Sequence, residues 1–589
     1  MALQYPSENP ISDGSTQVTT SLIDNLPPEL LLRVFRLAAS SIFSRQCQKN
    51  WSVQIEEWYW WMSLLFVCRR WRDIVVQDSY LWSRLYLPIP DDTLQLALER
   101  SKERPLMAII DEQSIILEGF EARFGDIVNT SRLEELHCRL DCNNGGIFEW
   151  PIFKKAYPQL TKLNLSMTLP HELWIEPEFP PKLSTFPRLV EFRAHRVALH
   201  WNRLTNLSLL QTMSVDYDDL HQAKVTEVLE VLRGMPLLRD LNLALEVTAK
   251  KPKNEALRRS RHPFNIPIVN LPHLEKFRHL CTSSYGSRIL LDYLRFPGST
   301  RIEFRFEEKA SSACVALGSK LKGETTLSAP SPIEKLYIFT ERYGPYFLRG
   351  RSAAASGPGL SSPNPRMPYN YEIGFHIRLR ESGDIFEMMM SVLTGLPLTS
   401  VRCLSISSGS GSPTTDHIFS DTLALGLSTP GVEILRLTGS RKLASSLEEF
   451  LGTPVIAWNV SRTHLTPATC AFPQMTTLEI RNFEFAQCTH PDGKHYGCLD
   501  AFIELLQFRT AHGCAPLEHL RISRCVNITE EQNCIQRLSA VIPRITWDGY
   551  QNQRSEEIQH EIFGPDTPYH WKAIWAKFIP IMDHLKSII

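Results

Sequence analysis

At 589 residues the chain is too long for one ordinary compact domain, unless it is a repeat array that grows by stacking. Its 43% hydrophobic and 22% charged content suits a soluble globular protein, and a formal net charge of −1 gives no overall pull toward nucleic acid or membrane. No apolar run reaches the roughly 18 residues needed to cross a bilayer, so no membrane span is expected.

Residues 1–20 are polar and rich in Ser, Thr, Pro and Asn, without the basic start and apolar run of a secretory signal. They are expected to form a disordered leader. The 13 cysteines are scattered and odd in number, unlike a secreted disulfide framework. A reducing compartment, cytoplasm or nucleus, is therefore expected.

Order is predicted to begin near Leu22. In Leu26-Pro27-Pro28-Glu29-Leu30-Leu31, the prolines suit a first helical turn, whose N–H groups lack partners, and Glu29 suits the positive end of the helix dipole. Leu30, Leu31, Val34, Phe35 and Ala38 recur at the helical period and predict one apolar face. A second helix is predicted over 61–76, with Trp61, Leu64, Leu65, Cys68, Trp71 and Val75 as its stripe. Tyr80, Leu81, Trp82 and Leu85 follow. So small a helical module cannot bury all these side chains alone, and exposed Leu, Phe and Trp clusters mark protein-binding faces.

The blocks Leu26-Pro27-Pro28-Glu29-Leu30-Leu31, Val67-Cys68-Arg69-Arg70-Trp71-Arg72 and Leu81-Trp82 resemble an F-box of the kind common among fungal members. The resemblance covers residues 21–90, with a stretch between Phe35 and Val67 longer than is typical, which places a looped insertion at about 40–50. Such a motif docks on the Skp adaptor and, through it, on a cullin. The resemblance implies that Leu26, Pro27, Pro28, Glu29, Leu30, Phe35, Val67, Cys68, Trp71 and Trp82 form the docking face or the helices that shape it.

From about residue 130 a pattern apolar-x-x-apolar-x-apolar returns 13 times, as in Leu160/Leu163/Leu165, Leu238/Leu241/Leu243 and Leu517/Leu520/Ile522. First anchors lie 21 to 43 residues apart, except for the 68 residues from Ile333 to Val401. Pro158, Pro187, Pro236, Pro272 and Pro473 precede units, where proline ends one segment and lets an extended strand begin. Short strands at such intervals, each with a helical or irregular return, predict a leucine-rich-repeat-like solenoid over 91–550. It resembles the domains of this kind often joined to F-boxes. Residues 341–371, rich in Ser, Ala, Gly and Pro, are expected to be a flexible excursion. Residues 551–589 are expected to end in an amphipathic helix carrying Trp571, Ile574, Trp575 and Phe578. It reads as a cap on the last repeat or as a partner- or membrane-surface helix. The expected fold class is thus α/β, a small all-α module followed by a solenoid of short parallel strands.

Side chains alternate along a strand, so residues between the anchors face away from the core. Lys162, Arg193, Lys276, Arg278, Arg301, Lys335, Arg436, Arg521 and Arg544 stand in that row, in excess over its carboxylates. They mark a candidate substrate face, either for an acidic or phosphorylated partner or as an ordinary solvated surface.

Cys488, His490, His495 and Cys498 form the richest cysteine–histidine cluster, but their spacing matches no zinc module, and Pro491-Asp492-Gly493 reads as a turn. No glycine-rich phosphate loop and no Gly-x-Ser-x-Gly elbow occurs. The tryptophan-rich run at 51–61 lacks the interleaved Lys and Arg of a base-stacking surface. No metal, cofactor, nucleic acid or catalytic residue is therefore expected. The reading is a non-catalytic substrate receptor of a ubiquitin ligase, or alternatively a non-degradative interaction scaffold.

Overall fold

The computed structural model describes residues 26–46, 60–110 save 88, and then, up to 548, the helices, strands and turns named below. The expected leader, the tryptophan run from 51 to 59 and the C-terminal helix lie outside the described residues. The chain forms two compact units, 1–203 and 204–589.

The first unit begins with helix α1 (Pro28–Gln46), which starts on proline with Glu29 in its first turn. A 3-10 helix (Trp60–Phe66) follows, then α2 (Arg69–Gln77), α3 (Ser79–Trp82) and, beyond the first strand, α4 (Asp91–Arg100). The single helix predicted over 61–76 is thus two. Trp61 and Leu64, three residues apart on the tighter helix, are both buried. Cys68 then turns extended, and its Sγ accepts the Trp71 N–H at 3.4 Å, which restarts the chain as α2.

Five strands continue the first unit: β1 (Arg84–Leu87), β2 (Leu106–Ile110), β3 (Leu133–Asp141), β4 (Lys162–Thr168) and β5 (Glu191–His195). They pair parallel in chain order. Leu136, Leu163 and Phe192 stand side by side in this register, and all three are fully buried.

The second unit carries β6 (Thr212–Asp216), β7 (Gln222–Lys224), β8 (Asp240–Ala244), β9 (Glu246–Thr248), β10 (Val269–Asn270), β11 (Lys276–Cys281), β12 (Leu294–Arg295) and β13 (Arg301–Phe306). Further strands are β14 (Ile333–Thr340), β15 (Tyr346–Ser352), β16 (Phe375–Leu379), β17 (Cys403–Ser407), β18 (Ile434–Thr438) and β19 (Thr477–Arg481). β20 (Gln487–Thr489), β21 (His495–Gly497), β22 (His519–Ser523) and β23 (Arg544–Trp547) complete it. Helices α5 (Val225–Arg233), α6 (Ser284–Tyr293), α7 (Ser311–Leu321), α8 (Cys498–Ala511) and α9 (Cys534–Ser539) lie between strands in the chain.

β6, β8, β11 and β13 pair parallel in that order, as do β14, β17, β18, β19, β22 and β23. Between the two runs the order leaves the chain sequence. β13 pairs parallel with β16, β16 antiparallel with β15, and β15 antiparallel with β14. The stretch 341–371, expected to be a flexible excursion, therefore contributes a strand at 346–352. Tyr346, Leu348 and Gly350 alternate with Phe347, Arg349 and Arg351, and composition alone hides that period.

A turn recurs just before many strands. Leu160, Leu189, Leu238, Leu274 and Met475 each donate a backbone N–H to the residue three before, at 3.1–3.2 Å. The predicted prolines Pro158, Pro187, Pro236, Pro272 and Pro473 sit second in these turns, where fixed φ favours the bend and no N–H is required. The turn buries its first and last residues, and the strand anchors continue inward from there. Helices of the second unit cover the same core: Val228, Leu229 and Leu232 from α5, Ile289 and Leu290 from α6, and Leu317 from α7 are buried.

Candidate protein-docking site

Helix α1 is apolar on two sides. Leu31, Phe35 and Ala39, four residues apart, are 2–3% exposed. They share the core with Trp61, Leu64, Val75, Leu81 and Trp82. Phe35 lies 4.9 Å from Trp71 between ring centroids, and Trp61 meets Trp82 edge-on at 5.0 Å. The Trp82 Nε1–H donates to the Val75 carbonyl at 3.0 Å, so the buried indole is satisfied. The other side shows Leu30, Val34 and Leu37, which are 47%, 51% and 62% exposed. A surface helix ordinarily carries polar residues there.

Arg70 donates to the Leu26 carbonyl, which holds the start of α1 against the start of α2. Phe66 and Val67, immediately before α2, are 71% and 55% exposed. Pro27, Pro28 and Glu29 are exposed, while Leu26, Cys68 and Trp71 are half-buried. Of the ten residues expected in docking, Phe35 and Trp82 belong to the core and shape the face from beneath. Val34, Leu37 and Phe66 extend the exposed apolar surface beyond the expected set. The helical periodicity held Leu37 as well: it lies seven residues, about two turns, from Leu30.

Asp78 joins these helices. Arg36 grips its carboxylate with two hydrogen bonds, Nε at 3.1 Å and Nη2 at 2.6 Å, and this carboxylate raises the Arg36 pKa. The same carboxylate accepts the Tyr80 N–H at 3.3 Å and caps α3.

The strand-face cations fall into two groups. In the first unit Lys162 meets Glu135 at 2.5 Å and Arg193 meets Glu191 at 2.6 Å. Burial pushes the Glu135 pKa up, but the hydrogen bond from Lys162 and the nearby imidazole of His137, 3.8 Å away, outweigh it and bring it down to about 2. In the second unit Arg278 meets Glu303 at 2.9 Å, and Glu479 receives Arg436 at 2.8 Å and Arg521 at 3.1 Å. Lys276, Arg301, Lys335 and Arg544 have no ion pair among the described residues. Burial and the neighbouring Arg278 and Arg301 lower the Lys276 pKa against the pull of Asp240.

Among the described residues no group of three His, Cys, Asp or Glu is placed to hold a metal ion. Cys488 pairs with Tyr496, and His495 with Thr489, across the β20–β21 hairpin; His490 lies outside the described residues. Nor, among the described residues, is any helix long and apolar enough to cross a membrane. His279, buried between strands, is satisfied by the Leu243 carbonyl at 3.0 Å and the Ser287 hydroxyl at 2.8 Å.

Residues 23–88 match the F-box-like family model. No curated protein matches the chain.

Proposed function

We propose, from the F-box-like domain at residues 23–88, that this chain is the substrate receptor of a Skp–cullin–F-box ubiquitin ligase. F-box domains generally bind the Skp adaptor. The observation that carries the reading is the outward apolar stripe of Leu30, Val34 and Leu37, with Phe66 and Val67 near the start of α2. Burying such side chains on association is worth roughly 1 kcal/mol each or more. The adaptor covers this face and links the chain to a cullin.

The remaining strands act as a leucine-rich-repeat-like solenoid, of the fungal F-box type, whose outward strand residues meet the target. Support comes from the recurring turn, the parallel pairing and the alternation of buried and half-exposed strand positions. The chain itself is non-catalytic, uses no cofactor and works in the cytoplasm or nucleus. It raises the concentration of the target near the ubiquitin-loading machinery.

Affinity capture of the full chain beside a Leu30→Asp, Val34→Asp variant tests the reading. The wild type is expected to co-purify with the Skp adaptor and a cullin. The variant is expected to lose both, with its melting temperature held within about 2 °C because the side chains are exposed. Capture of the adaptor without a cullin would instead favour a non-degradative scaffold. Equal capture by both chains would end the docking assignment.

A further inference from the structure

Several cations of the strand face each meet a carboxylate of their own: Lys162 has Glu135, Arg193 has Glu191 and Arg278 has Glu303. The four strands β18, β19, β22 and β23 are arranged otherwise. Their outward positions carry Arg436, Arg481, Arg521 and Arg544 against the one carboxylate of Glu479. Arg436 takes both oxygens of that carboxylate, Nε to Oε2 at 2.8 Å and Nη2 to Oε1 at 3.5 Å. Arg521 reaches it through one bond, Nη1 to Oε1 at 3.1 Å, and its side chain stays 52% exposed. Arg481 faces Thr438 and Ser523, and Arg544 faces His519. Both are exposed, and neither has a carboxylate partner among the described residues.

The parallel register sets Arg481, Arg521 and Arg544 on one diagonal, each one strand over and two residues back from the one before. With about 4.8 Å between strands and about 3.3 Å per residue, each step is about 8 Å. An extended chain presents its same-side side chains about 6.6 Å apart, a difference that long arginine stems absorb. Desolvation, Arg521 and Arg544 lower the His519 pKa against the pull of Glu479, so the positive field of the diagonal reaches the imidazole beside it.

We infer that this arginine diagonal is the target-binding site of the receptor, and that it takes an extended protein segment with carboxylates at alternate positions. The inference rests on the receptor reading above, which makes the occupant a protein. A guanidinium presents a planar fork of donors that matches a carboxylate. Arg436 makes that contact with Glu479 inside the patch, while Arg481 and Arg544 hold the same donors outward. Two observations favour a peptide over nucleic acid: the whole chain has a net charge of −1, and Glu479 lies inside the patch. Both oppose the continuous positive field that draws a phosphate backbone.

The test uses the full chain with labelled peptides, by fluorescence anisotropy. One peptide alternates glutamate with serine over six residues, an isomer holds its three glutamates adjacent, and a counterpart has glutamine for glutamate. A hexathymidine oligonucleotide supplies the nucleic-acid arm. The alternating peptide is expected to bind most tightly, to weaken with salt, and to lose at least about tenfold in affinity in Arg481→Gln, Arg544→Gln. That variant is expected to melt as the wild type does, because neither arginine has a carboxylate partner among the described residues. Arg278→Gln, from an ion-paired position on β11, is expected to leave binding unchanged. The inference falls if the alternating peptide does not bind, if Arg481→Gln, Arg544→Gln binds it as the wild type does, or if the isomer, the glutamine peptide or the oligonucleotide binds as tightly. Adaptor capture by the same variant separates the two readings. If capture persists while wild type binds no peptide, only this inference is overturned; if wild type captures no adaptor while the peptide binds the diagonal, only the receptor reading is.

Discussion

Gly286 illustrates how one position can be decided by backbone approach. It sits in the first turn of α6, and its N–H is held at 3.5 Å by the capping hydroxyl of Ser283. A Cβ there would meet the Val247 carbonyl oxygen at 1.8 Å and its carbon at 2.7 Å. Both obstacles are backbone, so no side chain can swing aside. Gly286→Ala is expected to destabilise the second unit by about 3 kcal/mol, read as a lower midpoint in denaturant unfolding. Glycine in a helix start is unremarkable in the sequence, because the clash arises from a strand 39 residues away. The docking residues differ. Leu26, Pro27, Leu30 and Val67 belong to local blocks whose chemistry is readable without neighbours. Which side of α1 each leucine takes was not readable: Leu30 and Leu31 are adjacent and equally apolar, and only the packing of α1 against the other helices buries one and leaves the other open.

At the level of elements, the pair Arg36–Asp78 governs how α1 meets α3. Asp78 is 4% exposed, so removing its cation leaves a buried carboxylate with less compensation. Arg36→Ala is expected to cost about 2 kcal/mol of stability and to weaken adaptor capture, because α1 loses its tie to the rest of the face. Asp78→Asn retains an oxygen for the Tyr80 N–H and is expected to cost less in thermal unfolding than Asp78→Ala. Many of the strands were legible as elements where alternation marks them, as in the buried and half-buried alternation of Glu191–His195. Their partners were less so. β14 was expected to follow β13, yet β15 and β16 stand between them. Strand pairing is a long-range choice, and the Ser- and Gly-rich run from 352 to 363 masked the two short alternating stretches on either side of it.

For the whole molecule, acid should act on the two units over different ranges. His279 is buried, and its pKa is lowered to about 4 by desolvation, despite the Leu243 carbonyl. An imidazole that stays neutral when folded and protonates at about 6.5 when unfolded contributes stability above that pH. In the second unit this contribution is lost as pH falls from about 6.5 toward 4. Glu135 in the first unit, held down at about 2, contributes above its unfolded pKa near 4.5 and loses that contribution as pH falls toward 2. His279→Leu should therefore flatten the stability slope between pH 6.5 and 4, and Glu135→Gln the slope below 4.5, in thermal unfolding across pH. A His279→Leu chain with the wild-type slope would show that the imidazole is not the responsible group.

By itself the sequence determined the start of α1, the turns that open many of the strands, the inward anchors and the apolar excess near the front of the chain. These depend on residues a few positions apart. Only the tertiary structure decided which leucines of α1 face outward, which strands adjoin, and which cations find a carboxylate. Those outcomes depend on residues tens of positions away, where the chain must first close on itself before one side chain can neutralise or cover another.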